Sequence, residues 1–500
     1  MFQKVLIANR GEIAHRLIIA CHELGITAVA VHSDADRQAP WVELADERYS
    51  LPGTSATDTY LNQSVILDIA EACGAQAIHP GYGFLSENAA FAAACAKRGI
   101  VFIGPSPQAM QLMGSKAKSR ELAEQAGVPI VPGVDGAGLD VAALQTAVSH
   151  IPYPILIKAS AGGGGKGMRV VWADAEFADA VQAARGEAKN SFGDDHILVE
   201  KYFTEIHHVE IQVLGDQHGK VLHLFERECS IQRRHQKIIE ETPAPVIQDD
   251  DLRQRMAAAA VSLAQAVGYS SAGTVEFIVD GSGNFYFLEM NTRLQVEHPI
   301  TELVTGIDIA AWQIRIAAGQ PLPFSQNEIQ QRGHAIECRV YAEDPAQNFL
   351  PSIGEIALYQ RPSGPGVRVD DGIVSGTAVT PYYDPMLAKV ITWGHSRDEA
   401  VGKMIQALRQ TVVLGVTTNI PYLLTILQEP TFASGHTSTN YLQEILPTWQ
   451  PEPMPEEAWL GAAVFELLQG GGKSRGTAVS TENGSIYDPW GETAVWRNVK

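Results

Sequence analysis

The sequence predicts a multidomain protein of the α/β and α+β classes, and three observations carry that prediction. Its 500 residues exceed what one hydrophobic core usually holds, so about three domains are expected. Strand and helix patterns alternate through the first hundred residues, whereas hairpin patterns dominate from Val209 onward. The composition, 45% apolar and 19% charged, is that of a globular protein. We therefore expect a parallel sheet at the N-terminus and mainly antiparallel sheets after it.

The N-terminal segment alternates short apolar runs with helical patterns. The run Lys4–Ala8 is followed by a helix whose apolar residues recur every three to four positions and which ends at Gly25. Further strands are predicted at 28–31, 75–78 and 100–103, with helices at 60–73 and 88–98. This alternation predicts a doubly wound parallel sheet. No GxGxxG motif follows the first strand, so a nicotinamide-binding Rossmann domain is not expected.

The pattern changes after Pro105. One helical segment is predicted at 107–126, followed by a strand, a glycine loop and a second strand within 151–174. Two hairpins are predicted, joining 209–214 to 221–226 and 274–279 to 285–290, and helices are predicted at 251–267 and 307–318. Short strands and turns fill 333–447, which ends in helical patterns at 399–410 and 421–428, and a proline-rich linker follows.

Charge and cysteine usage exclude several classes of protein. The net charge of −20 disfavours nucleic acid as a partner, and no apolar run reaches the roughly 18 residues of a membrane span. The N-terminus lacks the features of a signal peptide, and the five scattered cysteines form no CxxC pair. We expect a cytoplasmic protein with reduced thiols and no zinc ribbon, in which a local cationic site meets any anionic substrate.

A glycine loop at 161–167, AGGGGKG, is the first signal of chemistry. Glycine lets backbone N–H groups surround phosphate oxygens, and Lys166 adds charge. The loop is not a Walker A motif, because Ser160 and Gly167 replace the required glycine and Ser/Thr and a strand follows. Lys158 interrupts an apolar strand just before the loop, which indicates an anionic partner such as a nucleotide phosphate, and Lys116 is a second candidate phosphate contact. The alternative is a flexible hairpin turn.

Two carboxylates are expected to face each other across the second hairpin. A four-residue loop at 281–284 pairs Asp280 with Phe285, and counting back places Glu276 opposite Glu289. A divalent cation between them relieves their repulsion, with Asn291 on the same face. Oxygen ligands beside a phosphate loop favour Mg²⁺ or Mn²⁺. The alternative is a pair of solvated surface glutamates.

Charged and amide side chains also cluster in the loop that follows the hairpin. Arg293 is a candidate to hold a small oxyanion, and Glu297 is a candidate general base, for which we expect a raised pKa. The basic cluster 232–237 is interpreted as a positively charged surface that faces an anionic substrate. Because neighbouring strand residues point to opposite faces, His208 is assigned to a nucleotide contact rather than to a metal shared with His207.

Seven motifs together resemble the biotin carboxylases of the ATP-grasp superfamily. They are ANRGEIA, HPGYGFLSEN, KASAGGGGKGM, HVEIQV, ERECSIQRRHQK, EMNTRLQVEHPITE and GHAIECRVYAEDP, and the resemblance covers about residues 1–447. It implies a parallel pre-ATP-grasp domain at 1–113, an ATP-grasp domain at 114–332 with a mobile glycine-loop lid at about 131–203, and a β-rich C-terminal domain at 333–447. Residues 448–500 are left as a linker and the start of a further domain or tail.

The resemblance also implies roles for individual residues. The implied ATP contacts are Lys116, Lys158, Gly163, Gly164, Gly165, Lys166, Glu200, Lys201, Phe203, His208, Gln232, His235, Glu276 and Glu289. The implied metal ligands are Glu276, Glu289 and Asn291, and the implied bicarbonate contacts are Lys237, Arg293, Gln295 and Val296. Glu297 is the implied base, Arg339 stabilises the biotin enolate and Tyr82 lies at biotin, so that the implied catalytic set is Glu297, Arg339, Arg293 and Lys237.

The implied reaction is an ATP-dependent carboxylation of biotin by bicarbonate through carboxyphosphate, as the first half-reaction of an acyl-CoA carboxylase. Its expected cofactors are ATP and two Mg²⁺ or Mn²⁺ ions, with biotin as a carrier-bound substrate. The expected partners are a biotin carboxyl carrier, a carboxyltransferase subunit and further copies of this chain, with neither nucleic acid nor a membrane. Another ATP-grasp carboxylate ligase and a non-catalytic ATP-binding regulatory subunit are the alternatives.

The C-terminal end departs from free-standing biotin carboxylase subunits, which usually end near residue 447. DPWGETAVWRNVK is similar to the start of the domain that follows biotin carboxylase in methylcrotonyl-CoA-type α subunits. No Ala-Met-Lys-Met biotinylation motif occurs in the sequence. Either the carrier is a separate polypeptide, or this chain is a portion of a longer one.

Overall fold

The computed structural model describes residues 1–160, 168–233, 236–453 and 455–470. Contacts divide the chain into two compact units, Met1–Gln450 and Pro451–Lys500. Five predicted nucleotide contacts lie outside the described residues: Gly163, Gly164, Gly165, Lys166 and His235. Every other candidate site residue belongs to the larger unit.

The predicted parallel sheet forms at the N-terminus. Its strands are β1 Lys4–Ile7, β2 Thr27–His32, β3 Glu47–Ser50, β4 Ala77–His79 and β5 Val101–Phe102, in the order β3-β2-β1-β4-β5. Its helices are α1 Gly11–Glu23, α2 Pro40–Leu44, α3 Gln63–Cys73 and α4 Ala89–Lys97. Helix α3 begins later than predicted, because the Asn62 side chain caps it by accepting the Val65 N–H.

The single helix predicted at 107–126 is wrong, since the structure has two. Helix α5 spans Pro107–Met113 and helix α6 spans Lys116–Gln125. Ser115 between them has an extended backbone, and its side chain accepts the Lys118 N–H as the N-cap of α6. The cap starts a new helix axis and places Lys116 in the first turn of α6.

A small antiparallel sheet carries the strands on either side of the glycine loop. Its strands are β6 Gly133–Asp135, β7 Ile155–Ala159, β8 Arg169–Val171 and β9 Ile197–Lys201, in the order β6-β9-β7-β8. Helices α7 Val141–Val148 and α8 Phe177–Phe192 pack on it. Because Leu156 pairs with Glu200, the side chains of Lys158 and Glu200 are diagonal neighbours across β7 and β9.

The remaining elements complete the chain. The strands are β10 Ile206–Gly215, β11 Val221–Arg233, β12 Gln236–Thr242, β13 Ser271–Asp280, β14 Phe285–Asn291, β15 His334–Tyr341, β16 Glu343–Asp344, β17 Leu350–Pro351, β18 Gly354–Glu355, β19 Leu358–Gln360, β20 Val367–Asp371, β21 Ala378–Val379, β22 Met386–Gly394 and β23 Val412–Leu414. The helices are α9 Asp250–Ala266, α10 His298–Thr305, α11 Ile309–Ala317, α12 Arg397–Gln410, α13 Ile420–Gln428, α14 Pro430–Ala433, α15 Tyr441–Ile445 and α16 Glu456–Gly470.

Eight of these strands form one antiparallel sheet in the order β14-β13-β10-β11-β12-β15-β22-β20. The sheet continues across the predicted domain boundary at 332/333, because β12 pairs directly with β15. Ile239 lies opposite Cys338, and Glu240 lies opposite Glu337. Arg339 therefore lies beside strands that precede the boundary by almost a hundred residues.

The second hairpin confirms the predicted pair Glu276 and Glu289 by a different route. The loop is one residue shorter than predicted: the Asp280 N–H donates to the Asn284 carbonyl, and Gly283 supplies the required positive φ of 77°. Phe285 therefore pairs with Val279, so the predicted pairing with Asp280 is wrong. A bulge after Glu276 compensates for the shift and restores the pairing with Glu289.

Two further sequence expectations concern compartment and membrane. All five cysteines are free and buried. Within the described ranges, no helix is both long enough and apolar enough to cross a bilayer.

Candidate active site

Glu297, immediately before α10, lies at the centre of a buried charged cluster. Its side chain is inaccessible to solvent, its Oε1 accepts from Lys237 Nζ at 2.7 Å and its Oε2 accepts from Arg339 Nη2 at 3.0 Å. Burial alone raises the pKa of this carboxyl, but Lys237 and Arg339 bring it well below its ordinary value. The expected raised pKa is therefore wrong, because strands β12 and β15 place two cations against the carboxylate.

Lys237 connects Glu297 to two other carboxylates. Its Nζ donates to Glu210 Oε2 at 2.6 Å and to Glu276 Oε1 at 2.9 Å. Burial alone lowers the pKa of this ammonium, but the three carboxylates raise it well above its ordinary value. A cation shared by three acids can exchange one of them for an anionic substrate without losing its charge compensation.

The hairpin β13–β14 presents the predicted metal-binding oxygens. Glu276 is buried and accepts from Asn291 Nδ2 at 2.8 Å, while His208 Nε2 lies 3.0 Å from its other oxygen. Glu289 lies on the facing strand, where loss of part of its hydration, together with the Glu276 carboxylate, raises its pKa. Two facing carboxylates and an amide form an oxygen-rich donor set that fits a hard divalent cation such as Mg²⁺ or Mn²⁺.

Arg293 lies beside this donor set and is partly exposed. Its Nη2 donates to Asn291 Oδ1 at 3.0 Å, its Nη1 donates to Gln295 Oε1 at 2.9 Å, and its Nε donates to Glu87 Oε2 at 3.0 Å. Gln295 Nε2 in turn lies 3.4 Å from Glu276 Oε1. Through these contacts the predicted bicarbonate contact Gln295 lies one side chain, Glu276, from Lys237, and Arg293 lies two side chains from it.

The lysine in the apolar strand β7 has a protein carboxylate as its partner. Lys158 contacts Glu200, and Arg120 Nη1 donates to the other oxygen of Glu200 at 2.9 Å. Burial and the neighbouring Lys158 charge lower the pKa of Lys116. The structure thus brings Lys116, Lys158 and Glu200 together, and Glu200 is a protein anion that pairs with Lys158.

Four other predicted ATP contacts, His208, Gln232, Lys201 and Phe203, make contacts with other groups of the protein. Gln232 Nε2 lies 2.6 Å from His208 Nδ1 and donates to the Cys229 carbonyl. Phe203 stacks on Tyr286, with ring centroids 5.1 Å apart. Lys201 Nζ donates to two main-chain carbonyls, the nearer at 2.9 Å. His208 and Gln232 thereby join the Glu276 cluster, whereas the structure records no contact between that cluster and Lys201 or Phe203 among the described residues.

Tyr82 and Arg339, the predicted biotin contacts, each have an acidic partner. The Tyr82 hydroxyl contacts Glu12 on α1. Arg339 Nε donates to Glu240 Oε1 at 2.6 Å, in addition to its bond to Glu297. Burial raises the pKa of Glu240 to about 7 despite the arginine.

Sequence reasoning missed several charged residues of this region, including Arg227, Glu240, Glu12 and Lys389. Arg227 is fully buried and its Nε donates to Glu210 Oε1 at 2.6 Å. Lys389 interrupts the apolar strand MLAKVITWG, which is the signal that singled out Lys158 and would have found this residue too. Arg227 lies between Glu226 and Glu228 and Glu240 precedes Glu241, so that signal does not mark them.

Three protein-family profiles match the chain in order. Residues 1–110 match "Biotin carboxylase, N-terminal domain". Residues 115–325 match "Carbamoyl-phosphate synthase L chain, ATP binding domain", and residues 337–444 match "Biotin carboxylase C-terminal domain". Together the matched segments extend over the same part of the chain as the seven motifs.

Similar curated proteins include biotin carboxylase 1 of Bacillus subtilis and the mitochondrial propionyl-CoA carboxylase alpha chain of Homo sapiens. The first is 50% identical over 444 residues, which are 89% of this chain and 98% of that protein. The second is 51% identical over 448 residues, again 89% of this chain but 61% of that protein.

Two solved structures have the same fold over most of the chain. The biotin carboxylase domain dimer of Hydrogenobacter thermophilus 2-oxoglutarate carboxylase, solved with MgADP, ADP and bicarbonate, has a TM-score of 0.86 at 48% identity and covers 91% of this chain and 100% of that one. The β,γ-ATP complex of Campylobacter jejuni biotin carboxylase has a TM-score of 0.85 at 44% identity and covers 89% and 99%. With its motifs, its fold and these relatives in agreement, the chain belongs to the biotin carboxylase family.

Proposed function

We propose that the buried cluster around Glu297 is the catalytic centre of this ATP-dependent ligase. The enzyme carboxylates biotin with bicarbonate through carboxyphosphate and yields N-carboxybiotin, ADP and phosphate. The observation that carries the site assignment is the position of one carboxylate, Glu297, between Lys237 and Arg339. This arrangement supplies a base and two cations within a region that excludes water.

In the first step, Glu297 takes the proton of bicarbonate. Its low pKa keeps it ionised at neutral pH, and bicarbonate competes with it for Lys237. As the substrate anion draws the ammonium away, the carboxylate becomes more basic, so binding of the substrate itself prepares the base. Arg293, Gln295 and the Val296 main chain complete the proposed bicarbonate pocket.

The deprotonated bicarbonate then attacks the γ-phosphorus of ATP, and the bond to the ADP oxygen breaks. Lys116 and Lys158 offset the charge of the transferring phosphoryl group, and Glu200 fixes Lys158 in place. His208 and Gln232, which contact each other beside Glu276, are further polar contacts for the nucleotide in this proposal. Glu276, Glu289 and Asn291 would hold Mg²⁺ or Mn²⁺, two ions in our proposal, which when bound neutralise phosphate charge.

In the second step, carboxyphosphate breaks down to CO₂ and phosphate. The phosphate takes the ureido N–H proton of biotin, and the nitrogen then forms its bond to the carbon of CO₂. Arg339 holds the enolate oxygen of the deprotonated biotin, and Tyr82 lies beside the ring. The fully buried Glu297 and the largely buried Lys237 indicate that water is kept from this intermediate.

We further propose that biotin arrives on a carrier protein or domain and that a carboxyltransferase consumes the product. The relatives named for their acceptors include propionyl-CoA, methylcrotonoyl-CoA and pyruvate carboxylases. A dimer is proposed for this chain because the Hydrogenobacter structure is described as one. The five free, buried cysteines favour the reducing cytoplasm.

The experiment is ADP release by the purified chain with Mg-ATP and bicarbonate, with and without free biotin. Bicarbonate-dependent turnover that biotin stimulates is the expected result. Turnover that requires an amine or amino acid instead contradicts the proposal in favour of another ATP-grasp ligase. Tight ATP binding without turnover contradicts it in favour of a regulatory subunit.

A further inference from the structure

Lys389 is a fully buried lysine at a point where three separate segments of the fold meet. It lies in the strand β22, MLAKVITWG, and none of its side chain is accessible. Its Nζ donates to the Val296 carbonyl at 2.8 Å, and it lies 3.1 Å from Glu12 Oε2 and 3.7 Å from Asp370 Oδ2. Glu12 comes from α1, Val296 from the loop before α10, and Asp370 from the neighbouring strand β20.

The ammonium remains charged in this position. Burial alone lowers its pKa, but Glu12, Glu337 and Asp370 raise it above the ordinary value. Asp370 is itself held by Arg368, whose Nε and Nη2 donate to its two oxygens at 2.7 and 2.8 Å. Since a buried ammonium is costly unless its partners have good geometry, these contacts fix where Nζ sits.

The first consequence concerns the bicarbonate side of the site. The carbonyl that Lys389 binds belongs to the peptide between Val296 and Glu297. Because a peptide unit is planar, holding its carbonyl also sets the direction of the Glu297 N–H and limits the main chain on both sides. Lys389 thus orients the backbone of the catalytic base without touching the base itself.

The second consequence concerns the biotin side. Glu12 uses one oxygen for Lys389 and the other for the Tyr82 hydroxyl. Lys389 therefore reaches Tyr82 through a single buried carboxylate. Burial and the nearby Asp370 raise the pKa of Glu12 to about 7, whereas Lys389 lowers it, so the ionised form of Glu12 depends on the lysine.

We propose that Lys389 is a positioning residue that holds the Val296–Glu297 peptide and, through Glu12, the Tyr82 hydroxyl in one fixed arrangement. This inference rests on the proposed function. In this inference, Lys389 determines how the bicarbonate side and the biotin side of the site are placed relative to each other. ATP lies outside its reach, because none of the predicted ATP contacts in the described residues touches Lys389, Glu12 or Asp370.

The test compares Lys389→Met and Glu12→Gln with wild type, and uses Lys403→Met as the matched control. Lys403 also donates to a main-chain carbonyl of β22, that of Trp393, but it contacts none of the candidate site residues that the structure describes. The measurements are the KM values for bicarbonate, biotin and ATP from ADP release, with thermal unfolding as a check of folding.

For Lys389→Met we expect the KM values for bicarbonate and biotin each to rise about tenfold or more, because a hydrogen bond to the Val296 carbonyl is lost on one side and the ion pair with Glu12 on the other. The KM for ATP stays within about twofold of wild type, as expected for a change remote from the nucleotide. Glu12→Gln raises the KM for biotin but leaves that for bicarbonate unchanged. Lys403→Met leaves all three unchanged.

A Lys389→Met variant whose three KM values rise together, or whose kcat alone falls, overturns the inference, because a merely structural lysine has that effect. If this variant does not fold, Glu12→Gln decides: a selective rise in the KM for biotin supports the inference, and unchanged constants overturn it. A wild-type chain without bicarbonate-dependent ADP release contradicts the proposed function instead. An active wild type with a kinetically normal Lys389→Met contradicts the inference alone.

Discussion

Glu297 owes its chemistry to two cations that come from different strands. Lys237 and Arg339 each donate to one of its oxygens, and together they keep it ionised inside the protein. A base with so low a pKa is weak while both cations hold it, so the proposed reaction depends on an anion that competes for them. The charge state of Glu297 is thus set by two contacts, and in our proposal the substrate breaks one of them.

Replacing this carboxylate tests that role. We expect Glu297→Gln to lower the kcat of bicarbonate-dependent ADP release by about 100-fold or more, because the amide cannot accept the proton. The KM for ATP is expected to stay near the wild-type value. Steady-state ADP release measures both.

The matched control is Glu241→Gln, a buried glutamate of the same charged region whose partners are His334 and Arg397. This change lowers the stability of the fold but retains kcat per folded molecule. Equal losses of kcat in the two variants would contradict the proposed role of Glu297.

A buried histidine gives a second prediction at this scale. Burial and the nearby Arg16 lower the pKa of His79 from 6.5 to about 3, so it is neutral when folded and takes up a proton when unfolded at acidic pH. The free energy of unfolding therefore falls as the pH drops from about 6.5 toward 3. His79→Asn retains an acceptor for the Gly81 N–H but cannot take up the proton. We therefore expect this variant to lose up to about 1.4 kcal/mol less free energy of unfolding per pH unit than wild type.

Urea unfolding at pH 7, 6, 5 and 4.5 measures this slope. The control His436→Asn changes an exposed histidine and is expected to retain the wild-type slope. A His79→Asn slope equal to that of wild type would show that His79 does not contribute.

At the scale of elements, the hairpin β13–β14 shows how local geometry makes a cation site. The loop sets one register, the bulge after Glu276 changes it, and the result is that Glu276 and Glu289 face each other. Lys237 and His208 compensate the charge of Glu276, and a bound cation would compensate that of Glu289 as well. Desolvation, followed by the Glu276 carboxylate, raises the pKa of Glu289.

Metal titration tests the hairpin. We expect Glu289→Gln to raise the Mg²⁺ concentration for half-maximal ADP release about tenfold or more, since a charged oxygen ligand is lost. The control Asp280→Asn lies in the same hairpin and keeps an oxygen acceptor for the loop N–H groups. An unchanged Mg²⁺ dependence in Glu289→Gln would remove this residue from the metal site.

At the scale of the whole molecule, the eight-stranded sheet joins segments that the sequence presents as separate domains. Strand β12 pairs with β15, and Lys389 on β22 reaches the loop before α10 and the helix α1. Lys237, Glu297 and Arg339, the catalytic residues of our proposal, come from these joined segments. Their distances therefore depend on the pairing of β12 with β15.

Hydrogen–deuterium exchange tests this continuity. We expect the central amides of β11, β12, β15 and β22 to exchange with one common free energy of opening, because they belong to one hydrogen-bonded sheet. Faster exchange confined to β15 and β22 would show that the C-terminal strands open independently.

Much of the fold was predictable because it depends on local patterns. The parallel N-terminal sheet follows from alternating apolar runs, and the hairpins follow from glycine-containing turns. The single helix at 107–126 was wrong because one serine, Ser115, has an extended backbone and caps a new helix. The predicted pair Asp280–Phe285 was wrong because loop length and a bulge are decided by backbone hydrogen bonds.

The sequence by itself determined the family, the class of chemistry and the candidate residues of the proposed site, because these depend on residue types at fixed spacing in seven motifs. Only the tertiary structure decided the electrostatics. It showed that Lys237 pairs with Glu297, that Glu200 pairs with Lys158, and that Lys389 donates to the Val296 carbonyl next to Glu297. The physical reason is that a charge takes its pKa and its role from its neighbours within a few ångströms. Strands far apart in sequence supply those neighbours.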